Sequence, residues 1–152
     1  MAATEIVSSS PEETVEIGRG LAKRLRAPVL VFLCGDLGSG KTTMAKGIIS
    51  GLGAAREEDV TSPTFTLVHV FRNGFPNPVP VYHVDLYRVE RFRDLESLGL
   101  EDAFAEPGVV IIEWAERFTL RTDWPQVAVT FEHVEKDRRR ISITFPEEGG
   151  AA

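Results

Sequence analysis

Residues 29–42 read Val-Leu-Val-Phe-Leu-Cys and then Gly-Asp-Leu-Gly-Ser-Gly-Lys-Thr, and no other stretch constrains the fold as tightly. The first part is a short, continuous apolar run rich in β-formers. That is the pattern of a strand buried on both faces, as in a parallel sheet. The second part, Gly35 to Thr42, fits G-x-x-x-x-G-K-[ST]. Glycines there let several backbone N–H groups point inward, because no Cβ blocks the unusual dihedrals. A helix is predicted from Thr42 to about Leu52, closed by Gly51 and Gly53, and its positive end faces the same spot. Such a loop suits a chain of phosphates. Lys41 would reach the β- and γ-phosphates as a point charge, Thr42 would offer Mg²⁺ a hydroxyl, and Thr43 would lie near the α-phosphate. The bland alternative is a chance glycine-rich turn, but the strand before it and the helix after it argue for the phosphate loop.

The rest of the chain alternates strands and helices, which is α/β patterning. Ser10-Pro11-Glu12-Glu13 is a helix start with a cap, a proline at the first helical position and a capping box. The helix is expected to run to about Arg26, with Val15, Gly18, Leu21, Ala22 and Leu25 on one face, and to stop before Pro28. Strands are predicted over Thr64–Phe71, Val79–Tyr87 and Val109–Trp114, with a loop over Asn73–Pro80 and a short helix capped by Asp94. Val127–Val134 and Arg140–Phe145 alternate around Glu135-Lys136-Asp137, a hairpin expected at the far edge of the sheet. The fold class is therefore α/β: a P-loop NTPase-like three-layer sandwich, with a mostly parallel central sheet and a C-terminal antiparallel hairpin. The 152 residues make one domain, with 1–9 and 147–152 expected to be frayed.

Composition narrows the function classes. One cysteine, Cys34, excludes a disulfide framework and a multi-cysteine zinc site. No apolar run approaches the ~20 residues that cross a bilayer. The start, MAATEIVSSSPEE, has no basic segment followed by an apolar one, so a cytoplasmic location is expected and no membrane partner. A net charge of −6 argues against gripping nucleic acid through an overall field, though not against a local basic patch.

Magnesium at Thr42 calls for a carboxylate at the tip of a neighbouring strand. Asp85 ends Val81-Tyr82-His83-Val84, and Glu113 ends Val109 to Ile112. A carboxylate directly after a buried strand leaves the carboxyl edge of the sheet, where ligands bind in open α/β folds. Either acid alone could be a surface residue; two of them beside a phosphate loop favour function. Thr61-Ser62-Pro63-Thr64-Phe65-Thr66 is either a turn entering a strand or a switch that orders around the γ-phosphate. His69, His83 and His133 lie in strand patterns without a second histidine at metal-ligand spacing, and are read as core or edge residues.

The segments GDLGSGKTT (35–43), TSPTFTLV (61–68), HVDLYR (83–88), LESLGLED (95–102) and IEWAE (112–116), in this order, resemble the bacterial TsaE family, also called YjeE. The resemblance spans roughly Glu12 to Arg117. It implies an ATPase, slow on its own, that works with TsaB and TsaD to make N6-threonylcarbamoyladenosine in tRNAs reading codons that start with A. It implies ATP and Mg²⁺, with tRNA met indirectly through the complex. The loop Asp36, Leu37, Gly38, Ser39, Gly40 with Lys41, Thr42 and Thr43 would hold the phosphates; Thr42 and Glu113 would hold Mg²⁺. Lys41, Asp85 and Glu113 would be catalytic, with Asp85 orienting water. Thr61, Ser62 and Thr64 would form the switch. Adenine would pack near Pro11 to Thr14 and Arg138 to Arg140, with Pro11, Thr14 and Arg138 as contacts. Trp114 would contact nucleotide or partner, or simply fill the sheet edge. Arg88 would supply catalytic charge, or order its turn by a salt bridge.

Three rivals are carried beside this reading: a P-loop small-molecule kinase, a GTPase, and an ATP-sensing binding switch with little catalysis. The GTPase lacks an Asn-Lys-x-Asp motif, since the only asparagines, Asn73 and Asn77, do not precede lysine.

Overall fold

The computed structural model describes residues 2–36, 40–61, 68–71, 79–86, 103–114 and 123–146. The elements are β1 (Ala2–Ser8), α1 (Pro11–Ala22), β2 (Val29–Cys34), α2 (Lys41–Gly51), β3 (Val68–Phe71), β4 (Val81–Asp85), β5 (Val109–Glu113), β6 (Gln126–Glu135) and β7 (Arg138–Phe145), with a short 3₁₀ turn at Glu57–Asp59. The strands form one sheet in the order β1-β7-β6-β2-β5-β4-β3. β2 pairs in parallel with β5 and β6, and β4 in parallel with β5. The pairs β3–β4, β6–β7 and β1–β7 are antiparallel. This is the expected mixed α/β sheet with parallel central strands and an antiparallel C-terminal hairpin.

Alternation along β2 divides the interior. Val29, Val31 and Leu33 join Val109, Ile111, Val127 and Val129 under α1 and α2, which bring Leu21, Ala22, Met44, Ala45, Ile48 and Ile49. Leu30 faces the other way, with Tyr82, Val84, Val110 and Ile112, against Ala103, Phe104 and Trp124. Both described α-helices therefore cover the same face of the sheet.

Three expectations are corrected. The start of the chain is not frayed: Ala2–Ser8 is an edge strand in register with β7, from Ala2 opposite Phe145 to Ser8 opposite Arg139. Half-buried Ile6 anchors it to the core, and buried Ser8 meets Thr14 oxygen to oxygen at 2.7 Å. The hairpin is not at the far edge either. β6 lies directly beside β2, and β1 covers the outer side of β7. Val127 and Val129 pair in register with Val31 and Leu33 of β2 and share the core under the helices with them. α1 also ends a turn earlier than predicted, capped by Lys23. Past Ala22 the N–H groups of Arg24 and Leu25 donate three residues back, to the carbonyls of Leu21 and Ala22, so the chain tightens out of the α-helix before Ala27-Pro28. Its start follows the sequence: Glu13 N–H donates to Ser10 Oγ at 3.1 Å and Ser9 N–H to Glu13 Oε2 at 2.7 Å.

The two helices cross at glycines. A Cβ on Gly47 would lie 2.2 Å from the Val15 carbonyl oxygen, and one on Gly18 2.7 Å from that of Met44. Since these obstacles are backbone, the helices would have to separate. Gly47→Ala is expected to destabilise the chain by about 3 kcal/mol through overpacking. That lowers Tm by about 6–12 °C at this size. Gly20→Ala, where no atom lies within 4 Å, serves as the control and should raise Tm or leave it unchanged. Scanning calorimetry of both variants checks the contrast, and equal Tm values would refute it.

Candidate active site

The carboxyl ends of β2, β4 and β5 converge on the first turn of α2. Gly40 starts that helix with φ of 114°, a left-handed conformation that a side chain would strain. Gly40 has no side chain with which to cap the turn, and no acidic residue lies in its first turn. The positive end of the helix favours anions there.

Lys41 is buried, at 5% exposure. Its Nζ donates to the carbonyls of Gly35 at 2.6 Å and Asp36 at 2.8 Å. The same ammonium stands 3.8 Å from the centre of the Trp114 ring, a cation–π distance. Trp114 follows the tip of β5 with φ of 65°, rare for a bulky residue, and its N–H donates to the Leu33 carbonyl at 3.1 Å. The chain turns there against β2, which puts the indole beside the loop lysine. Trp114 thus contacts the loop lysine, a partner that sequence reasoning did not name.

Thr42 Oγ1 donates to Glu113, with separations of 2.9 Å to Oε1 and 3.1 Å to Oε2. Glu113 and Asp85 are directly opposite in the β4–β5 register, and both are 2% exposed. His83, two residues before Asp85 on the same face, is fully buried, and its Nε2 lies 2.5 Å from Glu113 Oε2. The sequence reading of His83 as a core or edge histidine holds, since it is a core residue, but its bond to Glu113 was not foreseen. Its signal was the two-residue spacing from Asp85, but the neighbour is visible only through the strand register. His69 lies opposite His83 on β3, ring centres 6.4 Å apart. Burial, and then the nearness of His83, hold the His69 imidazole below its ordinary pKa.

Beside the loop, Ser10, Pro11, Thr14, Gly40, Thr43, Asp137 and Arg139 line a recess of about 130 Å³. It brings Pro11 and Thr14 from α1 together with the β6–β7 turn. From the segment Arg138 to Arg140, Arg139 lines the recess, whereas Arg138 pairs with Glu135 on the exposed surface at 3.3 Å. Thr61 is exposed. Leu37, Gly38, Ser39, Ser62, Thr64 and Arg88 lie outside the described residues.

The residues present fit a magnesium-bearing triphosphate. Thr42 and Glu113 supply hard oxygen donors, and Lys41 supplies a buried cation for which phosphate oxygens are stronger partners than carbonyls. Among the described residues no group of three or more His, Cys, Asp and Glu could hold a metal by itself. Magnesium commonly takes one or two protein oxygens together with substrate phosphates.

Fold and site together define a P-loop-like α/β protein. The crystal structure of Bacillus subtilis YdiB has the same fold, with a TM-score of 0.70 and 30% sequence identity, covering 97% of this chain and 88% of that one. A family model described as threonylcarbamoyl adenosine biosynthesis protein TsaE matches residues 8–141, and the chain belongs to the TsaE family. Proteins called tRNA threonylcarbamoyladenosine biosynthesis protein TsaE are similar over most of their length. That of Bacillus subtilis is 36% identical over 135 residues, 89% of this chain and 81% of the relative. That of Treponema pallidum is 36% identical over 137 residues, 90% and 97%. That of Streptomyces coelicolor is 44% identical over 102 residues, 66% of each.

Proposed function

We propose that the chain is a Mg²⁺-dependent ATPase that supports formation of N6-threonylcarbamoyladenosine in tRNA, acting with TsaB and TsaD. Family membership supports the pathway. One observation carries the chemistry: the first turn of α2, buried Lys41 and the strand-tip acids Asp85 and Glu113 meet at one point.

Phosphoryl transfer asks a protein chiefly for positioning and for stabilisation of charge. Lys41 exchanges its carbonyl partners for the β- and γ-phosphate oxygens and offsets the charge that grows between them. Thr42 and Glu113 would hold Mg²⁺, which would supply Lewis-acid neutralisation of phosphate charge. Asp85, beside Glu113, orients the attacking water. The recess formed by Pro11, Thr14 and Arg139 receives the nucleoside end.

Turnover is slow until the partner complex docks, since a missing cationic stabiliser is worth about 10³–10⁵ in rate. With a net charge of −6, the chain leaves most of the grip on tRNA to its partners. The reaction belongs in the cytoplasm. No helix of the described residues is long and apolar enough to cross a membrane.

The test is phosphate release from ATP by the chain alone and with TsaB, TsaD and tRNA. ADP and free phosphate are expected, at a rate that rises with the full set. Phosphate appearing on an added metabolite would instead make the chain a kinase. Heatless mixing with ATP in calorimetry, partners included, would end the nucleotide reading.

A further inference from the structure

His83 sits wholly inside the face packed by α2, where Val81 and Ile111 are its neighbours in sequence or register. Its Nδ1 is buried and has no hydrogen-bond partner among the described residues. Its Nε2 meets Glu113 Oε2 at 2.5 Å. An imidazole in such a place forgoes water for a single polar contact. An aliphatic side chain would fill the space without leaving a ring nitrogen unsatisfied. The feature that a histidine adds here is therefore the bond to Glu113.

We propose that His83 is a positioning residue whose Nε2–H fixes the Glu113 carboxylate against Thr42, an inference that rests on the Mg²⁺–ATP reading above. The direction of the bond follows from chemistry: a carboxylate accepts, so the proton lies on Nε2. Three elements then converge on one carboxylate. β5 carries it, α2 approaches through Thr42, and β4 holds it from behind through His83. The register makes the hold rigid, because His83 is opposite Ile111 while Asp85 is opposite Glu113. Glu113 cannot swing away from Thr42 without breaking the bond to His83. Partners of this kind, behind a metal-facing ligand, set its orientation and affect metal affinity.

The experiment titrates a non-hydrolysable ATP analogue into the full chain, once with Mg²⁺ and once with EDTA. His83→Phe keeps a ring but loses the donor; His83→Gln keeps an N–H donor. In His83→Phe the gain in affinity from Mg²⁺ is expected to fall about 10–100-fold, with EDTA affinity held within about twofold. His83→Gln is expected to recover most of that gain. An unchanged Mg²⁺ gain in His83→Phe overturns the inference and leaves the nucleotide reading intact. An equal loss with Mg²⁺ and EDTA overturns it too, since that is general damage to packing. If the unaltered chain binds no analogue in either condition, the nucleotide reading fails and this one fails with it. Nitrogen-15 spectra of the unaltered chain need no folded variant: a His83 ring protonated at Nε2 is expected, and a bare Nε2 overturns the proposal.

Discussion

Lys41→Ala is expected to lower ATP hydrolysis by about 10²–10³-fold, the usual loss when one aimed charge-stabilising group is removed from a transition state. The reason lies in how the side chain is held. Lys41 is buried, so its ammonium cannot draw on water. It is supported by two backbone carbonyls and the face of Trp114. Triphosphate oxygens are charged, and bonds between ionised groups are roughly twice as strong as neutral ones. Binding gives the ammonium charge-assisted bonds to phosphate, and hydrolysis uses it again as charge grows at the β–γ bridge. Alanine removes both contributions, so affinity should fall together with turnover. Lys41→Met separates charge from packing, because it keeps an apolar stem against Trp114. It should melt close to the unaltered chain and hydrolyse as poorly as Lys41→Ala. Hydrolysis by Lys41→Met within threefold of the unaltered chain, measured as phosphate release, would remove the lysine from the mechanism.

The parts of this site that the sequence makes legible are local or directional. Gly35 to Thr42 are contiguous, so strand, loop and helix can be read from one stretch of chain. Asp85 and Glu113 each end an apolar run, and chain direction alone sends parallel strand tips to one edge. What the sequence hides depends on partners far along the chain. β1 has only Ile6 and Val7 as large apolar residues and gains its place from β7, which follows more than a hundred residues later. The position of the hairpin depends on pairing between β6 and β2. His83 looks like any histidine in a strand until β4 is laid against β5. The turn that seats Trp114 over Lys41 combines a left-handed φ with a bond to β2, and no spacing rule encodes either.

Glu113→Gln tests the other half of the chemistry, and hydrolysis is expected to fall by about 10²-fold or more. Glutamine keeps the volume of the side chain and an oxygen that can accept from His83. It loses the negative charge and replaces one acceptor with an NH₂ donor. That change is small for the fold. Glu113→Ala is a poorer test because it strands the His83 Nε2–H and the Thr42 hydroxyl, both now bonded to the carboxylate. Buried donors left without partners cost about 1–3 kcal/mol each, so lost activity there could reflect lost structure. For the chemistry the change is large, because an amide is a weak ligand for magnesium beside a carboxylate. The pattern of losses is diagnostic. Binding of ATP with EDTA should persist, since Lys41 and the α2 turn remain, while the gain from Mg²⁺ and the rate of phosphate release should fall together. In a reconstituted reaction with TsaB, TsaD and tRNA, repeated rounds of modification should stop as well. Modification continuing at full rate while phosphate release is lost would show that ATP acts by occupancy alone, and the chain would then be a nucleotide-sensing switch instead of an ATPase at work.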